Sequence, residues 1–392
     1  MSHHIVIVGG GFAGALAARR LMEQHLPDTD VLLIDKQADF LFTPRLVDAL
    51  ASHDAHGNGW SAPLHELAAR FGFRFLRGTV EHVNREQKTL TVYTEDLGTK
   101  TVPYDTLVLT PGAKACHYRI PGAAEHTYTL KSLDDVKRVH DRINELLRQA
   151  QQEEAVATKR RLLSFIVVGA GPSGVEGIFS LLHYVRSWCE KQGAATLFDV
   201  ATFSLIQAGP QILPGFPPKM EHDLGKELHK HRIRLFVGEA VTEVTNEALT
   251  TNLKHTLPAS LVLWTAGIQP NRLTVDPEAH CDPSGYLIVD RHLQVESSIF
   301  AAGDAILYRE HNQVIPRNAQ TAILMGQALA ENIARSLRHL SLKPFHYRSK
   351  GNVLVVGNIG SLDLKWFSLK TRFAPLVRNF FYRFRFWQIT GK

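Results

Sequence analysis

The feature that most constrains this chain is a glycine turn close to its first residues. The apolar run Ile5–Val8 is typical of a buried strand, and Gly9, Gly11 and Gly14 follow it with the spacing G-x-G-x-x-G. In a strand–turn–helix unit the first glycine makes the tight turn, the second lets the backbone approach a pyrophosphate, and the third lets the helix pack on the strand. The helix N-terminus adds N–H donors and a favourable dipole for the anion. These residues predict a dinucleotide site at the start of an α/β domain.

A second apolar run makes this motif more specific. It spans Val31–Ile34 and ends at Asp35, 21 residues after Gly14. An acid at this position accepts hydrogen bonds from a ribose 2′-hydroxyl in such sites. The alternative is a bare turn followed by a surface aspartate, and the spacing disfavours it.

The same arrangement occurs again in the middle of the chain. The apolar run Leu163–Val168 leads into the sequence GAGPSGVE at residues 169–176. Two dinucleotide sites on one chain indicate a reaction that passes electrons between two dinucleotides.

Length and cysteine content limit the possible architectures. A chain of 392 residues suits two domains plus an extra segment. Its cysteines, Cys116, Cys189 and Cys281, are far apart, which argues against a disulfide framework, a zinc site and a redox-active dithiol. No apolar run is long enough to span a bilayer. We therefore expect no metal and a reducing cytosolic or matrix compartment.

The net charge of +6 comes from the C-terminal residues. Residues 363–392 hold seven basic residues and one acid, and the remaining residues hold 37 of each sign. The body of the protein is therefore not predicted to bind nucleic acid.

The basic tail also has an amphipathic pattern. We predict a helix from about Pro375 to Ile389, because proline suits the first turn of a helix. At helical spacing, one arc carries Leu376, Val377, Phe380, Phe381, Phe384 and Trp387, and Trp366, Leu369 and Phe373 extend it upstream. The other arc carries Arg378, Asn379, Tyr382, Arg383 and Arg385, with Phe386 as an exception. This pattern is typical of a helix lying in the plane of an anionic membrane. The alternative is a helix packed on the body or on a dimer partner.

Four motifs carry a resemblance to a known family: GAGPSGVE (169–176), LWTAG (263–267), AAGD (301–304) and AQTA (319–322). Together they resemble the flavoproteins of the pyridine nucleotide–disulfide oxidoreductase superfamily. Within it the whole chain looks most like the type II NADH:quinone oxidoreductases. The resemblance implies an α/β fold with two Rossmann-like dinucleotide-binding domains and a C-terminal amphipathic membrane-binding segment. It divides the chain into an FAD domain in two parts (1–115 and 286–345), an NAD(P)H domain with its crossover helix (116–285) and a tail (346–392).

The resemblance also implies which residues bind the cofactors. Those for FAD are Gly9, Gly11, Phe12, Ala13, Gly14, Asp35, Lys36, Pro44, Val80, Thr110, Gly112, Gly303 and Asp304. Those for NAD(P)H are Gly169, Gly171, Pro172, Ser173, Gly174, Gln207 and Gly267.

The implied reaction passes a hydride from the nicotinamide to the flavin and then two electrons to a membrane quinone, without proton pumping. The enzyme would lie peripherally on the cytoplasmic or matrix face of a membrane, and a homodimer stays open. The family places Glu176 near the nicotinamide and flavin, and Gln320 and Lys350 beside the quinone. On the residues alone, Glu176 is equally a first-turn acid that complements the helix dipole, and Lys350 a surface lysine.

Three positions depart from the family pattern. Leu324 replaces a second quinone-side glutamine, which makes the predicted quinone pocket less polar. Thr110-Pro111-Gly112 replaces the more usual Ala-Thr-Gly. Gln207 stands where NADH-selective relatives carry a glutamate, so we expect NADPH to be tolerated better than usual, unless the glutamine still binds the ribose.

Three other functions are compatible with parts of this pattern. A sulfide:quinone oxidoreductase would need cysteines beside the flavin and no second nucleotide turn. A reductase of a small electron-transfer protein could use the basic tail for docking. A nucleotide-sensing flavoprotein would bind FAD without turnover.

Overall fold

The computed structural model describes residues 2–52, 59–277, 280–349, 351–356, 359–364, 367–371 and 373–392. The fold is mixed α/β. The helices in this part of the chain are α1 (Phe12–Met22), α2 (Leu46–Ala51), α3 (Leu64–Phe71), α4 (Leu133–Gln152), α5 (Val156–Leu162), α6 (Pro172–Lys191), α7 (Ala195–Val200), α8 (Pro218–Lys230), α9 (Ala319–Leu337) and α10 (Ala374–Thr390).

The strands of the described residues run in the following order. Before α4 lie β1 (His3–Val8), β2 (Thr29–Asp35), β3 (Asp39–Leu41), β4 (Ser61–Pro63), β5 (Arg74–Arg77), β6 (Thr79–Asn84), β7 (Thr89–Thr94), β8 (Gly98–Pro103), β9 (Thr106–Leu109) and β10 (Ala113–Ala115). Between α5 and α9 lie β11 (Ser164–Val168), β12 (Thr202–Gln207), β13 (Ile233–Val237), β14 (Val241–Val244), β15 (Ala248–Thr251), β16 (Thr256–Pro258), β17 (Leu261–Trp264), β18 (Ile268–Pro270), β19 (Thr274–Asp276), β20 (Leu287–Ile288), β21 (Gln294–Glu296), β22 (Ile299–Ala301), β23 (Ile306–Leu307), β24 (Arg309–Glu310) and β25 (Gln313–Val314). After α9 lie β26 (Asn352–Val356), β27 (Ile359–Leu364) and β28 (Phe367–Thr371).

The first glycine turn leaves the centre of a six-stranded sheet with the order β21-β22-β9-β1-β2-β5. Strand β1 pairs in parallel with β2 and β9, and Ile5–Val8 are all buried. A continuous apolar run is what a parallel strand covered on both faces requires. Residues from the far end of the chain complete this sheet, because β22 pairs in parallel with β9.

The second glycine turn leaves the centre of a smaller parallel sheet with the order β13-β12-β11-β17. Its strands and α4, α6 and α8 enclose a separate core, to which α2 and β26 each contribute a leucine. The predicted boundaries at residues 115, 285 and 345 stay a prediction, although the pairing of β22 with β9 agrees with a return to the first sheet.

Close packing of α1 and α9 brings the last part of the first sheet to the first glycine turn. A Cβ at Gly326 would lie 2.5 Å from the carbonyl oxygen of Ala13, so the two helices meet almost backbone to backbone. Gly303 also lies within van der Waals reach of Ala13, since a Cβ there would be 3.6 Å from that of Ala13.

Three local features complete the description of residues 133–258. Helix α4 ends at Gln152, where the Glu153 carboxylate accepts hydrogen bonds from the N–H groups of Glu154 and Ala155. The turn at Gly193 leads into the short helix α7. Strands β14, β15 and β16 form a separate antiparallel sheet after Glu239.

The tail differs most from the prediction. Residues 352–371 form an antiparallel sheet, β26-β27-β28, so Leu369 lies on a strand and does not extend a helix, while Trp366 lies outside the described residues. Helix α10 forms as predicted but packs on the body with the arc predicted to be polar. Ala374, Arg378, Phe386 and Thr390, at intervals of four, are all buried, and Tyr382 between them is half-buried.

Candidate active site

The first glycine turn has the geometry of a dinucleotide site. Gly9 has φ +103°, and a Cβ at Gly14 would lie 1.9 Å from the carbonyl oxygen of Gly9. The Thr110 hydroxyl donates to that same oxygen at 2.9 Å. The Asp35 carboxylate accepts a hydrogen bond from Gly10 N at 2.5 Å, which fixes the end of β2 against the turn. A side chain at Gly9 or Gly14 would therefore collide with backbone, whereas Gly11 faces open space.

The second turn has the same backbone geometry and the corresponding hydrogen bonds. Gly169 has φ +98°, and a Cβ at Gly174 would lie 1.8 Å from its carbonyl oxygen. The Thr265 hydroxyl donates to Gly169 O at 3.0 Å, as Thr110 does in the first unit. The Gln207 amide oxygen accepts from Ala170 N at 2.9 Å, as Asp35 does from Gly10. The two units thus differ mainly in the charge at the end of their second strand.

The helices after both turns begin without a side-chain cap. Neither Gly11 nor Gly171 has a side chain to occupy the first N–H groups, and a Cβ at either position would meet nothing within 4 Å. Pro172 and Ser173 lie in the first turn of α6. Open space before an uncapped helix N-terminus suits the pyrophosphate of a dinucleotide, so the residues of both units fit the predicted cofactors.

A cavity of about 590 Å³ lies beside the first turn. Gly9, Asp35, Lys36 and Val80, all predicted FAD residues, line it. Sequence reasoning missed other lining residues, among them Lys114, Arg119, Asn271 and Arg272. Strands β10 and β18 pair antiparallel although more than 150 residues separate them in sequence. This pairing brings Lys114 on β10 close to Asn271, which follows β18, and no local motif reveals it.

Other predicted FAD residues surround the turn from further elements. Thr110 and Gly112 flank Pro111 of the cavity wall, and Gly112 has φ +70°. The Phe12 ring contacts Phe42, and Pro44 follows in the next short 3-10 turn. Phe12 and Pro44 are not among the residues that line the cavity.

Asp304 and Gln320 are polar groups held inside the protein near this turn. Asp304 follows Gly303, which packs on Ala13, and burial raises the pKa of Asp304, while the charges of Lys131 and Arg317 oppose the rise. Gln320 lies in the first turn of α9, and its side-chain amide nitrogen is buried without a hydrogen-bond partner in the described residues. A buried donor without a partner is costly, so this nitrogen is available to a bound group.

Glu176 belongs to a buried ionic cluster that sequence reasoning missed. Its Oε1 atom accepts hydrogen bonds from Val355 N at 3.1 Å and from Arg378 Nη1 at 3.2 Å. Arg378 Nη2 lies 2.5 Å from Asp48 Oδ1, and Arg45 Nη1 lies 2.9 Å from the other oxygen of Asp48. Burial raises the pKa of Glu176 to about 7, against the opposing charge of Arg378. Glu176 is therefore not the solvent-facing first-turn acid of the alternative interpretation, because it follows the first turn of α6 and is paired inside the protein.

The remaining predicted residues divide as follows. A Cβ at Gly267, φ +73°, would lie 1.9 Å from the Tyr118 hydroxyl oxygen, so this loop is closely packed. Lys350 lies outside the described residues. Cys189 is buried, and burial raises its pKa to about 11, so it stays a thiol at neutral pH.

Comparison with known proteins identifies the family. The model of the pyridine nucleotide-disulphide oxidoreductase family matches residues 3–326. The chain belongs to this family. The resemblance predicted from the motifs is thereby confirmed, and membership agrees with the two dinucleotide units described above.

Several curated relatives match nearly the whole length of this pyridine nucleotide-disulphide oxidoreductase. The type II NADH:quinone oxidoreductase of Haemophilus influenzae is 27% identical, with 97% of this chain and 92% of that protein covered. The demethylphylloquinone reductase NdbB of Synechocystis is 28% identical, with 98% and 93% covered. The solved structure of NDH2 from Plasmodium falciparum in complex with NADH has the same fold, with a TM-score of 0.87 at 18% identity over 100% of this chain and 98% of that one.

No group of three or more histidine, cysteine, aspartate or glutamate side chains in the described residues has the arrangement of a metal site. No helix among these residues has the length and apolar character needed to cross a bilayer.

Proposed function

We propose that this protein is an FAD-dependent NAD(P)H:quinone oxidoreductase of the type II NADH dehydrogenase kind. The observation that carries the proposal is the presence of two dinucleotide units with the same geometry on one chain, at Gly9–Gly14 and Gly169–Gly174. Two relatives of nearly full length carry the names of quinone reductases, which supports a quinone as the acceptor.

Bound FAD would take a hydride from the nicotinamide and give two electrons to a quinone, which also gains two protons. The chain's own part is to bind, orient and protonate. Gly11 and the N-terminus of α1 would hold one pyrophosphate, and Gly171 and the N-terminus of α6 the other. Asp35 would accept a hydrogen bond from a ribose hydroxyl of FAD, and Asp304 would accept one from the ribityl chain of the flavin.

Two side chains are suited to the quinone and its protons. Gln320 has a buried amide N–H group without a partner in the described residues, and it can donate to a quinone carbonyl. Glu176, with a pKa of about 7, can hold or release a proton on its carboxyl group near neutral pH. Lys350 keeps the predicted role beside the quinone as part of this proposal.

The tail would attach this enzyme to a membrane surface. Helix α10 leaves an apolar stripe exposed on the side away from the body, formed by Leu376, Phe380, Phe381, Phe384 and Trp387. A stripe of this size beside arginines suits the headgroup region of an anionic bilayer. Quinones dissolve in that bilayer, so such attachment would bring the acceptor to the enzyme.

The test is an anaerobic titration of the yellow protein with NADH, followed by a panel of quinones. We expect NADH to bleach the flavin absorbance and a quinone to restore it. The matched control is Gly171→Val, whose Cβ would meet no protein atom within 4 Å; it should stay yellow yet be reduced only by dithionite. If NADH left the flavin oxidised, the result would favour a nucleotide-sensing protein. If NADH reduced the flavin but only a redox protein reoxidised it, the result would favour a reductase of a small electron-transfer protein.

A sulfide:quinone oxidoreductase is the less favoured alternative. It depends on reactive cysteines, whereas Cys189 is buried with a raised pKa. Replacement of Cys116, Cys189 and Cys281 by serine should leave NADH-dependent bleaching and reoxidation intact.

A further inference from the structure

One residue of the tail helix reaches into the body of the protein. Arg378 lies in the first half of α10, and only 7% of its surface is exposed. Its two terminal nitrogens contact different carboxylates, Nη1 with Glu176 at 3.2 Å and Nη2 with Asp48 at 2.5 Å. One buried guanidinium thus bridges α6, which begins at the second glycine turn, and α2.

The helix that carries Arg378 is fixed to the body along its length. Near its start, Arg45 Nη1 donates to the Asn379 side-chain oxygen at 2.7 Å. Near its end, Arg19 Nη1 donates to the carbonyl oxygens of Trp387 and Gln388, each at 2.9 Å. Phe386 packs between these points against Phe42. The guanidinium of Arg378 is therefore fixed in position and does not move freely in solvent.

The carboxyl group that Arg378 contacts lies close to the nucleotide site. Glu176 is the fifth residue of α6, whose first residue, Pro172, belongs to the second glycine turn. Its remaining hydrogen bond in the described residues also comes from the tail, from the N–H group of Val355 on β26. Two tail elements, β26 and α10, therefore fix the carboxyl oxygen of a residue that lies two positions after Gly174 of the second glycine turn.

We propose that Arg378 is a positioning residue, which orients the Glu176 carboxyl group and stabilises its ionised form, so that the tail helix completes the redox site. This inference rests on the proposed function, because it gives Glu176 a task in the proton transfers of that reaction. It also assigns the tail helix a second role, independent of any contact with a membrane.

The charges around Glu176 determine the direction of the effect. Arg378 and Tyr382 face it from α10 and Asp48 from α2, while Arg45, in the turn before α2, pairs with Asp48. Burial favours the protonated acid and Asp48 adds to this, while Arg378 is the cation that opposes both. Without Arg378, two carboxyl groups would share a buried site, and one of them would take up a proton.

The test measures the protonation of Glu176 directly in the holoenzyme. The infrared band of a protonated carboxyl group is followed from pH 5 to 10 and assigned by its loss in Glu176→Gln. We expect Arg378→Gln to raise the midpoint of this band by about one pH unit or more. Arg378→Lys should reverse most of this rise and return the midpoint toward that of the wild type, because it keeps the charge. The pH profile of flavin reoxidation by a short-chain quinone should move with the band.

Two further variants keep the inference falsifiable if Arg378→Gln folds poorly. Asp48→Asn leaves Arg378 to Glu176 alone, so we expect it to lower the midpoint. Arg383→Gln removes a charge from an exposed position of the same helix and should leave the midpoint unchanged. Midpoints that are the same in wild type, Arg378→Gln and Asp48→Asn would overturn the inference.

The infrared result is separable from the proposed function. If NADH did not bleach the wild-type flavin, the proposed function would fail, while the band would still report whether Arg378 controls Glu176. If the enzyme turned over normally with an unshifted band in Arg378→Gln, the function would stand and this inference would fail.

Discussion

Asp35 and Gln207 end the second strand of their units and accept the same hydrogen bond, from Gly10 N at 2.5 Å and from Ala170 N at 2.9 Å. The difference lies in what each side chain has left for a ribose. Asp35 also accepts from Gln37 N, and its carboxylate keeps lone pairs that accept from hydroxyl groups and repel a phosphate. Gln207 is neutral, with one free lone pair on its amide oxygen and an N–H₂ group that donates.

We therefore expect Gln207→Glu to shift the preference of the enzyme toward NADH. The carboxylate would repel the 2′-phosphate of NADPH, and the ratio of kcat/KM for NADH to that for NADPH should rise about tenfold, or about 1.4 kcal/mol. Gln192→Glu, at an exposed position after α6, adds the same charge to the same domain and should leave the ratio unchanged. An unchanged ratio in Gln207→Glu would show that this position does not select the nucleotide.

The open space before Gly11 makes it a clean probe of FAD binding. Gly11 has φ −76°, and a Cβ there meets no protein atom, so Gly11→Val should fold while its side chain fills the pyrophosphate position. We expect flavin absorbance per protein to fall at least tenfold with little change in melting temperature. Asp304→Ala should also lose FAD, because it removes a buried carboxylate beside Gly303.

The contrast with Gly14 separates binding from folding. A Cβ at Gly14 would lie 1.9 Å from Gly9 O, so Gly14→Val should destabilise the whole first sheet. Full FAD retention in Gly11→Val would contradict the placement of the cofactor at this turn.

The glycine units were predictable because each is a local pattern. Strand, turn, helix and the Asp35 or Gln207 position lie within about forty residues, and the structure reproduces each of them. The ionic cluster was not predictable, because Arg378 is 202 residues from Glu176 and 330 from Asp48 along the chain. An arginine among aromatic residues in a basic tail indicates a solvated face, and only the packed fold supplies its carboxylates.

For the same reason the sequence did not reveal which arc of α10 packs on the body. The pattern distinguished two arcs correctly, but the arc with Arg378 and Tyr382 faces the body, and Phe386, the predicted exception, is buried there.

We expect Phe386→Ala to lower the free energy of unfolding by about 3 kcal/mol, because it leaves a cavity beside Phe40 and Phe42. Phe384→Ala on the exposed side should cost less than about 1 kcal/mol. Urea unfolding measures both, and equal losses would contradict the packing of α10.

Glu176 should make the stability of the protein depend on pH in a defined direction. Its pKa is about 7 in the folded protein and near its ordinary value of 4.5 once exposed. Its contribution to stability is therefore fully present below pH 4.5 and is lost as the pH rises through 7. Glu176→Gln should remove this loss, on the order of 2 kcal/mol between pH 5 and 8 in urea unfolding. Glu86→Gln, at an exposed position, should keep the wild-type pH dependence.

The exposed stripe of α10 should attach the protein to anionic membranes. Deletion of the chain after Leu362 is a poor test, because it also removes the buried residues Arg378 and Phe386 and should destabilise the fold. A better variant replaces Leu376, Phe380 and Trp387 with serine, since each is at least half exposed. We expect this triple variant to keep its melting temperature and flavin but to lose at least tenfold in co-sedimentation with vesicles of phosphatidylglycerol and phosphatidylcholine.

The matched control replaces Leu97, Val156 and Leu253, which are equally exposed on other surfaces, and should bind vesicles as the wild type does. Added salt should weaken the wild-type attachment, because the neighbouring arginines contribute to it. If the triple variant sediments with vesicles as the wild type does, α10 is not the membrane contact.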